Sequence, residues 1–336
     1  MPNARSSFQG FECCDGVSRR RFLKTTAAAT ALLPFGAVTE AADHAPKSVK
    51  PSETLVAELY KSLKEPQRAA ICFPFEHELR SKVDNNWFIT KTRVSDFSRD
   101  QQDLIRQIFL GLHSEEYAKS VLQALEHDNG EKGLGACSIA LFGEPGAGKS
   151  EFVLTGRHVT RRCDGDAVAG AAFGGPIFYG HQAREKDTED PDHPENVYWY
   201  QAKRANELFQ ALDGKQRKIA LLEHGRPERK EQTVKLTGKT SGLDGIPVSE
   251  LSRDQKDLVR KVMADVLAPF RKPDADEAMK LVEKNGFDHL HMAFYKSQDL
   301  GEDGVWDVWQ IEGPAMVWYF RGDPHVHTWV HIRESA

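Results

Sequence analysis

Cysteine is scarce in this 336-residue chain: of five, Cys13 and Cys14 lie near the amino terminus, and only Cys72, Cys137 and Cys163 fall in its body. Three widely spaced thiols form no metal-ligand pattern and at most one disulfide, so each reads as a buried structural thiol. Long apolar runs are also missing. The mildly apolar stretch from Thr25 to Val38 falls short of the roughly 20 residues that a bilayer span needs, and no later segment reaches that length, so no membrane span is expected in the mature form. Nor is positive charge in excess. With 45 Lys and Arg against 50 Asp and Glu, the formal charge is -5, which argues against nucleic acid as a partner, since phosphate contacts need concentrated Lys and Arg.

What is present starts at the amino terminus. Ser18-Arg19-Arg20-Arg21-Phe22-Leu23-Lys24 matches the twin-arginine export pattern, and an Ala-rich stretch ending at Ala41 or Ala42 supplies small residues for cleavage. Residues 1–42 therefore read as a signal peptide. The expected partner is the twin-arginine export machinery, and the expected location is periplasmic or otherwise secreted. Residues 43–62 read as a linker with an N-terminal helix. The remaining body, about 295 residues with that linker included, suits one large or two ordinary domains.

An internal repeat organises that body. "SRDQQDLIRQI" at 98–108 recurs as "SRDQKDLVRKV" at 252–262, with seven of eleven positions identical. Each copy places Ser before an amphipathic run with Gln three residues later, so Ser98/Gln101 and Ser252/Gln255 read as capping boxes. Behind them, Leu104, Ile105, Ile108 and Phe109 match Leu258, Val259, Val262 and Met263 at helical spacing, which predicts two core-facing stripes. Upstream, Gln67-Arg68 then Glu76-His77 parallels Gln216-Arg217 then Glu223-His224. Downstream, "SIALFG" (138–143) parallels "HMAFYK" (291–296), and 150–162 parallels 306–320 with Gly156 opposite Gly313. The expected fold is α+β, built from internally duplicated helix-helix-strand-loop-strand units with pseudo-twofold symmetry, the half-repeats spanning 63–205 and 206–336 of one compact domain, their hairpins joined in one sheet or packed as a pair.

"GEPGAGKS" at 143–150 satisfies the phosphate-loop pattern, which raises the alternative of a nucleotide-binding protein. A phosphate loop needs a helix after Lys149-Ser150 so that its amides bind the anion. The following "EFVLTGRHV" is rich in β-branched residues and reads as a strand. The repeat sets the loop opposite the turn-like stretch 297–304, so it reads as a hairpin loop. Scarcity of ATP outside the cytoplasm argues the same way.

The carboxyl-terminal "GDPHVHTWVHIRESA" is a better candidate. On a strand, His325, His327 and His331 point to one face, and a His-x-His pair there can reach one divalent ion; the alternative is a hydrogen-bonded cluster. His331, about 13 Å beyond His327, is too far for the same shell. His289 and His291 form a second His-x-His at the start of a strand. His181 and His193 flank a charged loop and read as solvated.

The strand-loop-strand "IALFGEPGAGKSEFVLTGRHV", then "AAFGGPIFYG", then the closing His-x-His, resembles an exported family, domain of unknown function 3500, from about Leu63 onward. The family's Gly-His-His triplet here reads Gly156-Arg157-His158, with His158 intact. The resemblance implies no established activity, and it implies that the Lys149-Ser150 ending is a local accident of a loop not known for binding nucleotides. Combined with the duplication, it makes His158, His325 and His327 the expected metal set. Three His with an open fourth position suit zinc, copper or iron. Glu312 or Glu151 is a candidate carboxylate to fix an imidazole, and Arg157 a candidate anchor for an anionic substrate. Trp329, with Trp306, Trp309, Trp318 and Tyr319, offers an aromatic wall or core. Two function classes follow: a metal-dependent hydrolase or oxidoreductase, and a non-catalytic periplasmic metal- or ligand-binding protein. No small-molecule substrate can be named.

Overall fold

The computed structural model describes residues 51–183, 196–297 and 304–336. The signal peptide, the start of the linker, His193 and most of the turn at 297–304 lie outside the described residues. Among the described residues no helix is long and apolar enough to cross a membrane.

The chain is a mixture of helix and strand around one sheet. Its first part runs α1 (Ser52–Ser62), α2 (Glu65–Ile71), β1 (Cys72–Phe73), α3 (Arg99–Gly111), α4 (Ala118–Asp128), β2 (Ser138–Gly143), β3 (Ser150–Gly156), β4 (Val159–Cys163) and β5 (Ile177–His181). Its second part runs α5 (Tyr200–Ala211), α6 (Gly214–Ala220), β6 (Leu221–Leu222), β7 (Ile246–Pro247), α7 (Arg253–Leu267), α8 (Lys272–Asn285), β8 (His291–Tyr295), β9 (Val308–Gly313), β10 (Met316–Arg321) and β11 (Val326–Ile332). The sheet order is β1-β2-β3-β4-β5-β11-β10-β9-β8-β6, with β7 on β8. The pairs β1/β2 and β6/β8 are parallel and the others antiparallel.

The two capped helices form as their sequences require. Ser98 accepts the Gln101 amide and Ser252 the Gln255 amide, both at 3.3 Å. Behind those caps Ile105, Ile108 and Phe109, and Val259, Val262 and Met263, are buried, with Leu104 and Leu258 at the margin. Each capping glutamine also pairs with an upstream glutamine: Gln67 donates to Gln101 at 3.0 Å, and Gln216 to Gln255 at 3.1 Å. Each donates to the end of an earlier helix as well, Gln101 to the Ser62 carbonyl and Gln255 to that of Ala211.

The order of elements differs from the expected helix-helix-strand-loop-strand unit. Both parts carry four helices before four longer strands, with one short strand among the helices in the first part and two in the second, not two helices and one strand-loop-strand. The sequence reading runs through Gly156-Arg157-His158-Val159 and Gly313-Pro314-Ala315-Met316, which are tight turns that fold one long run into two strands. The boundary expected between 205 and 206 falls inside α5.

The loop at 143–150 joins antiparallel β2 and β3, with Gly143 opposite Ser150. A strand follows Lys149, so no helix starts from the loop, and the strand-loop-helix order of a phosphate loop is absent.

Both faces of the sheet are covered, which is why its strands are buried along nearly their whole length rather than alternating. The helices cover one face, packing on Ile139, Leu154, Trp309, Trp318 and Val330. Irregular segments cover the other, placing Val83 and Val234 against Phe178, Tyr319 and Trp329. That second face carries His327.

Candidate metal centre

His158 is the second residue of the two-residue turn between β3 and β4. Its φ is +57°, a left-handed conformation that costs a non-glycine residue about 1 kcal/mol or more. The surroundings hold it there. Its carbonyl accepts the Gly180 amide of β5 at 3.1 Å, and Gly156 packs so closely that a Cβ would meet Cys137 Sγ at 2.7 Å. Neighbouring β11 supplies the other two histidines. His327 lies opposite Gly180, and His325 precedes the strand by one residue.

Pairing of β5 with β11 brings the three together. His158 Nε2 is 3.1 Å from His325 Nε2, which is 3.0 Å from His327 Nε2. Two nitrogens bound tetrahedrally to one zinc ion stand about 3.3 Å apart. Among the described residues this is the one group of three or more His, Cys, Asp or Glu whose donor atoms share a space of this size.

Two carboxylates unforeseen in the sequence stand behind the triad. Asp128, the last residue of α4, accepts His158 Nδ1–H at 2.9 Å, His181 Nδ1–H at 3.2 Å and the Gln182 amide at 3.1 Å. Glu228, in the segment after β6, accepts His327 Nδ1–H at 2.7 Å and is paired with Arg321. Burial opposes ionisation of both most strongly. The hydrogen bonds from His158 and His181 nonetheless hold Asp128 well below the usual carboxylate range, and those from His327 and Arg321 bring Glu228 to about 2. Burial likewise pushes His325 from 6.5 to about 3, helped by the His327, His158 and Arg321 charges, and His327 to about 4 against the pull of Glu228.

With both carboxylates ionised, the protons of His158 and His327 sit on Nδ1, and their Nε2 lone pairs face inward. His325 Nε2 lies between them. It has at most one proton to give and so can serve only one of the two, and His325 Nδ1 is buried without a hydrogen-bond partner. The three nitrogens are placed to share one cation at the centre.

The other site candidates lie elsewhere. Glu312 is held by Arg226 and Gln310 and Glu151 by Arg162 and Arg80, so neither backs an imidazole of the triad. Both lie at strand ends away from β11, where cationic side chains reach them first. Arg157 is exposed and donates to Gln182 at 2.5 Å; through that residue's amide it braces the chain at Asp128. Trp329 is core: its ring packs on Phe178, whose edge meets His327. Trp309 and Trp318 are buried on the helix-covered face. His331 turns to the Val234 carbonyl at 3.1 Å, and His291 approaches the His289 carbonyl. His181, read as solvated, is fully buried on Asp128. One signal for Asp128 was available: an acid in the last turn of a helix opposes the helix dipole and implies local compensation. Glu228 sits in irregular chain and has no such mark.

Fold and site together define an α+β protein with a buried three-histidine group able to hold a metal ion. The family model described as "Protein of unknown function (DUF3500)" matches residues 46–334, and the chain belongs to that family. No curated protein and no solved structure matches the chain.

Proposed function

We propose that this is an exported metal protein whose divalent ion is held by Nε2 of His158, His325 and His327. The convergence of three imidazole nitrogens within 4.8 Å of one another, with a carboxylate behind two of the rings, carries the reading. One ion accepts all three lone pairs, and its charge is balanced by Asp128 and Glu228, each fixing an imidazole tautomer as carboxylates behind ligating histidines do. Imidazole donors suit zinc, copper or iron. Among the described residues no fourth His, Cys, Asp or Glu joins the group, which leaves a position for water or substrate, the composition of a catalytic centre rather than a structural one. This favours a metal-dependent enzyme, hydrolytic through bound water or oxidoreductive with copper or iron, over a non-catalytic binding protein, for which a closed shell is expected.

The same reading includes an internal duplication, one copy from α1 to β5 and the other from α5 to β11. Its support is the recurrence of the capping glutamine pairs and the order of strands, which reads alike from either edge. The metal would then sit at the seam, with His158 from one copy and His325 and His327 from the other. Arg19-Arg20 supports passage of the folded, metal-loaded chain through the twin-arginine machinery to the periplasm or beyond.

Metal analysis of protein purified from its native periplasm tests the proposal. About one equivalent of a transition metal is expected, falling below a tenth when His158 and His327 are both replaced by Ala. Equal metal in that variant would sink the site, and cytoplasmic retention of the wild-type chain would sink the export.

A further inference from the structure

Beside the triad stands the side-chain amide of Asn85. Asn85 Nδ2 is 3.4 Å from His327 Nε2, and Asn85 Oδ1 is buried with no hydrogen-bond partner. Because His327 directs its Nδ1 proton to Glu228, its Nε2 is the acceptor and the amide donates.

The segment is held firmly. The Lys82 carbonyl accepts from Arg162 at 2.7 Å, the Asp84 carbonyl accepts the Thr160 hydroxyl at 3.2 Å, and the Trp87 indole donates to that hydroxyl at 2.9 Å. The Ile89 amide donates to Thr155 at 2.9 Å, and Val83 is fully buried. The Asp84 carboxylate accepts the Asn85 amide at 2.8 Å and pairs with Lys230 at 3.3 Å. Thr160 is two residues beyond His158, and Lys230 two beyond Glu228. The backbone at Asn85 is thus clamped by the same segments that carry the site.

Resting on the metal reading above, we propose that Asn85 positions the ligand in the open coordination place, and that this ligand is a small oxygen anion of the carboxylate class. An ion about 2 Å from His327 Nε2 uses the lone pair that Asn85 now meets, so the amide N–H is left facing the coordination sphere without an acceptor. An oxygen in the fourth tetrahedral place lies about 3.3 Å from each bound nitrogen, within the same short range as the amide. The orphaned Oδ1 is free to accept an N–H or O–H carried on the carbon beside the carboxylate. Both groups favour an anion: a divalent ion attracts one directly, and the freed amide N–H donates to it, while nearby Lys230 is already paired with Asp84.

Cobalt(II) titration of the metal-free protein, followed by acetate titration of the cobalt form, tests this through the visible absorption of the ion. Asn85→Ala is expected to bind cobalt within about threefold of wild type but acetate about tenfold more weakly, the scale of one hydrogen bond to a charged group. Asn85→Ser, which keeps a donor, should recover part of the loss. Unchanged acetate affinity in Asn85→Ala with normal cobalt binding would overturn the role of Asn85 and leave the metal site standing. A folded Asn85→Ala that loses cobalt affinity more than tenfold would make Asn85 a ligand, which also overturns the proposal. If wild type itself takes up no cobalt, the metal reading fails, and this inference with it.

Discussion

His158 and His325 stand Nε2 to Nε2 at 3.1 Å across 167 residues of chain. Neither nitrogen reaches a carboxylate; the acid that orients His158 approaches from its Nδ1 side. The separation of roles between the two ring nitrogens makes the site testable by single substitutions.

Asp128→Asn and Glu228→Gln should weaken metal binding about 10- to 100-fold by releasing the tautomers of His158 and His327, while the double histidine variant loses it. Competition against a chromophoric chelator measures the difference. Wild-type affinity in both carboxylate variants would remove the acids from the site.

His113 provides a pH test away from the triad. It is buried, donates Nδ1–H to the Phe109 carbonyl at 2.8 Å and accepts Arg161 Nε–H at 3.2 Å. Burial, with the Arg161 charge, lowers it from 6.5 to about 3. The folded state therefore binds fewer protons than the unfolded state between those values, and the neutral histidine loses stability for the fold as pH falls below 6.5, by up to about 1.4 kcal/mol per unit. His113→Gln should be less stable at pH 7, with the gap to wild type narrowing towards pH 4. Denaturant unfolding at several pH values checks it; a constant gap would contradict the neutral assignment.

Lys149→Ala should leave stability unchanged. Lys149 is an exposed loop side chain between two paired strands. Calorimetry with ATP and GTP should give no binding in either protein, and micromolar affinity lost in the variant would reverse this.

Ser98→Ala and Ser252→Ala should each cost about 1 kcal/mol through loss of an N-terminal cap. The two caps lie on different helices and share no partner, so the double variant should show the sum within about 0.5 kcal/mol. Urea unfolding measures all three. A negligible cost at either site would mean that the glutamine pair, rather than the serine, holds that helix start.

Much of this molecule is written locally. The caps at Ser98 and Ser252, the buried stripes behind them and the hairpin at 143–150 follow from spacing and residue type, because they depend on hydrogen bonds and packing within a few residues. So does the common face of His325 and His327. The break between β3 and β4 was harder to read: a two-residue turn such as Arg157-His158, without glycine at its positive φ, leaves no clear mark in a run of strand-forming residues.

Which acids serve the histidines was decided only by the fold. Glu312 and Glu151 are near the right strands in sequence, yet Arg226 and Arg162 claim them, while Asp128 arrives from the end of a helix and Glu228 from irregular chain. Asn85 meets His327 across 242 residues. Local spacing marks the imidazoles and the elements that carry them; the tertiary structure alone chose their partners, because strand pairing and coverage of the second sheet face bring together groups whose separation along the chain has no period to read.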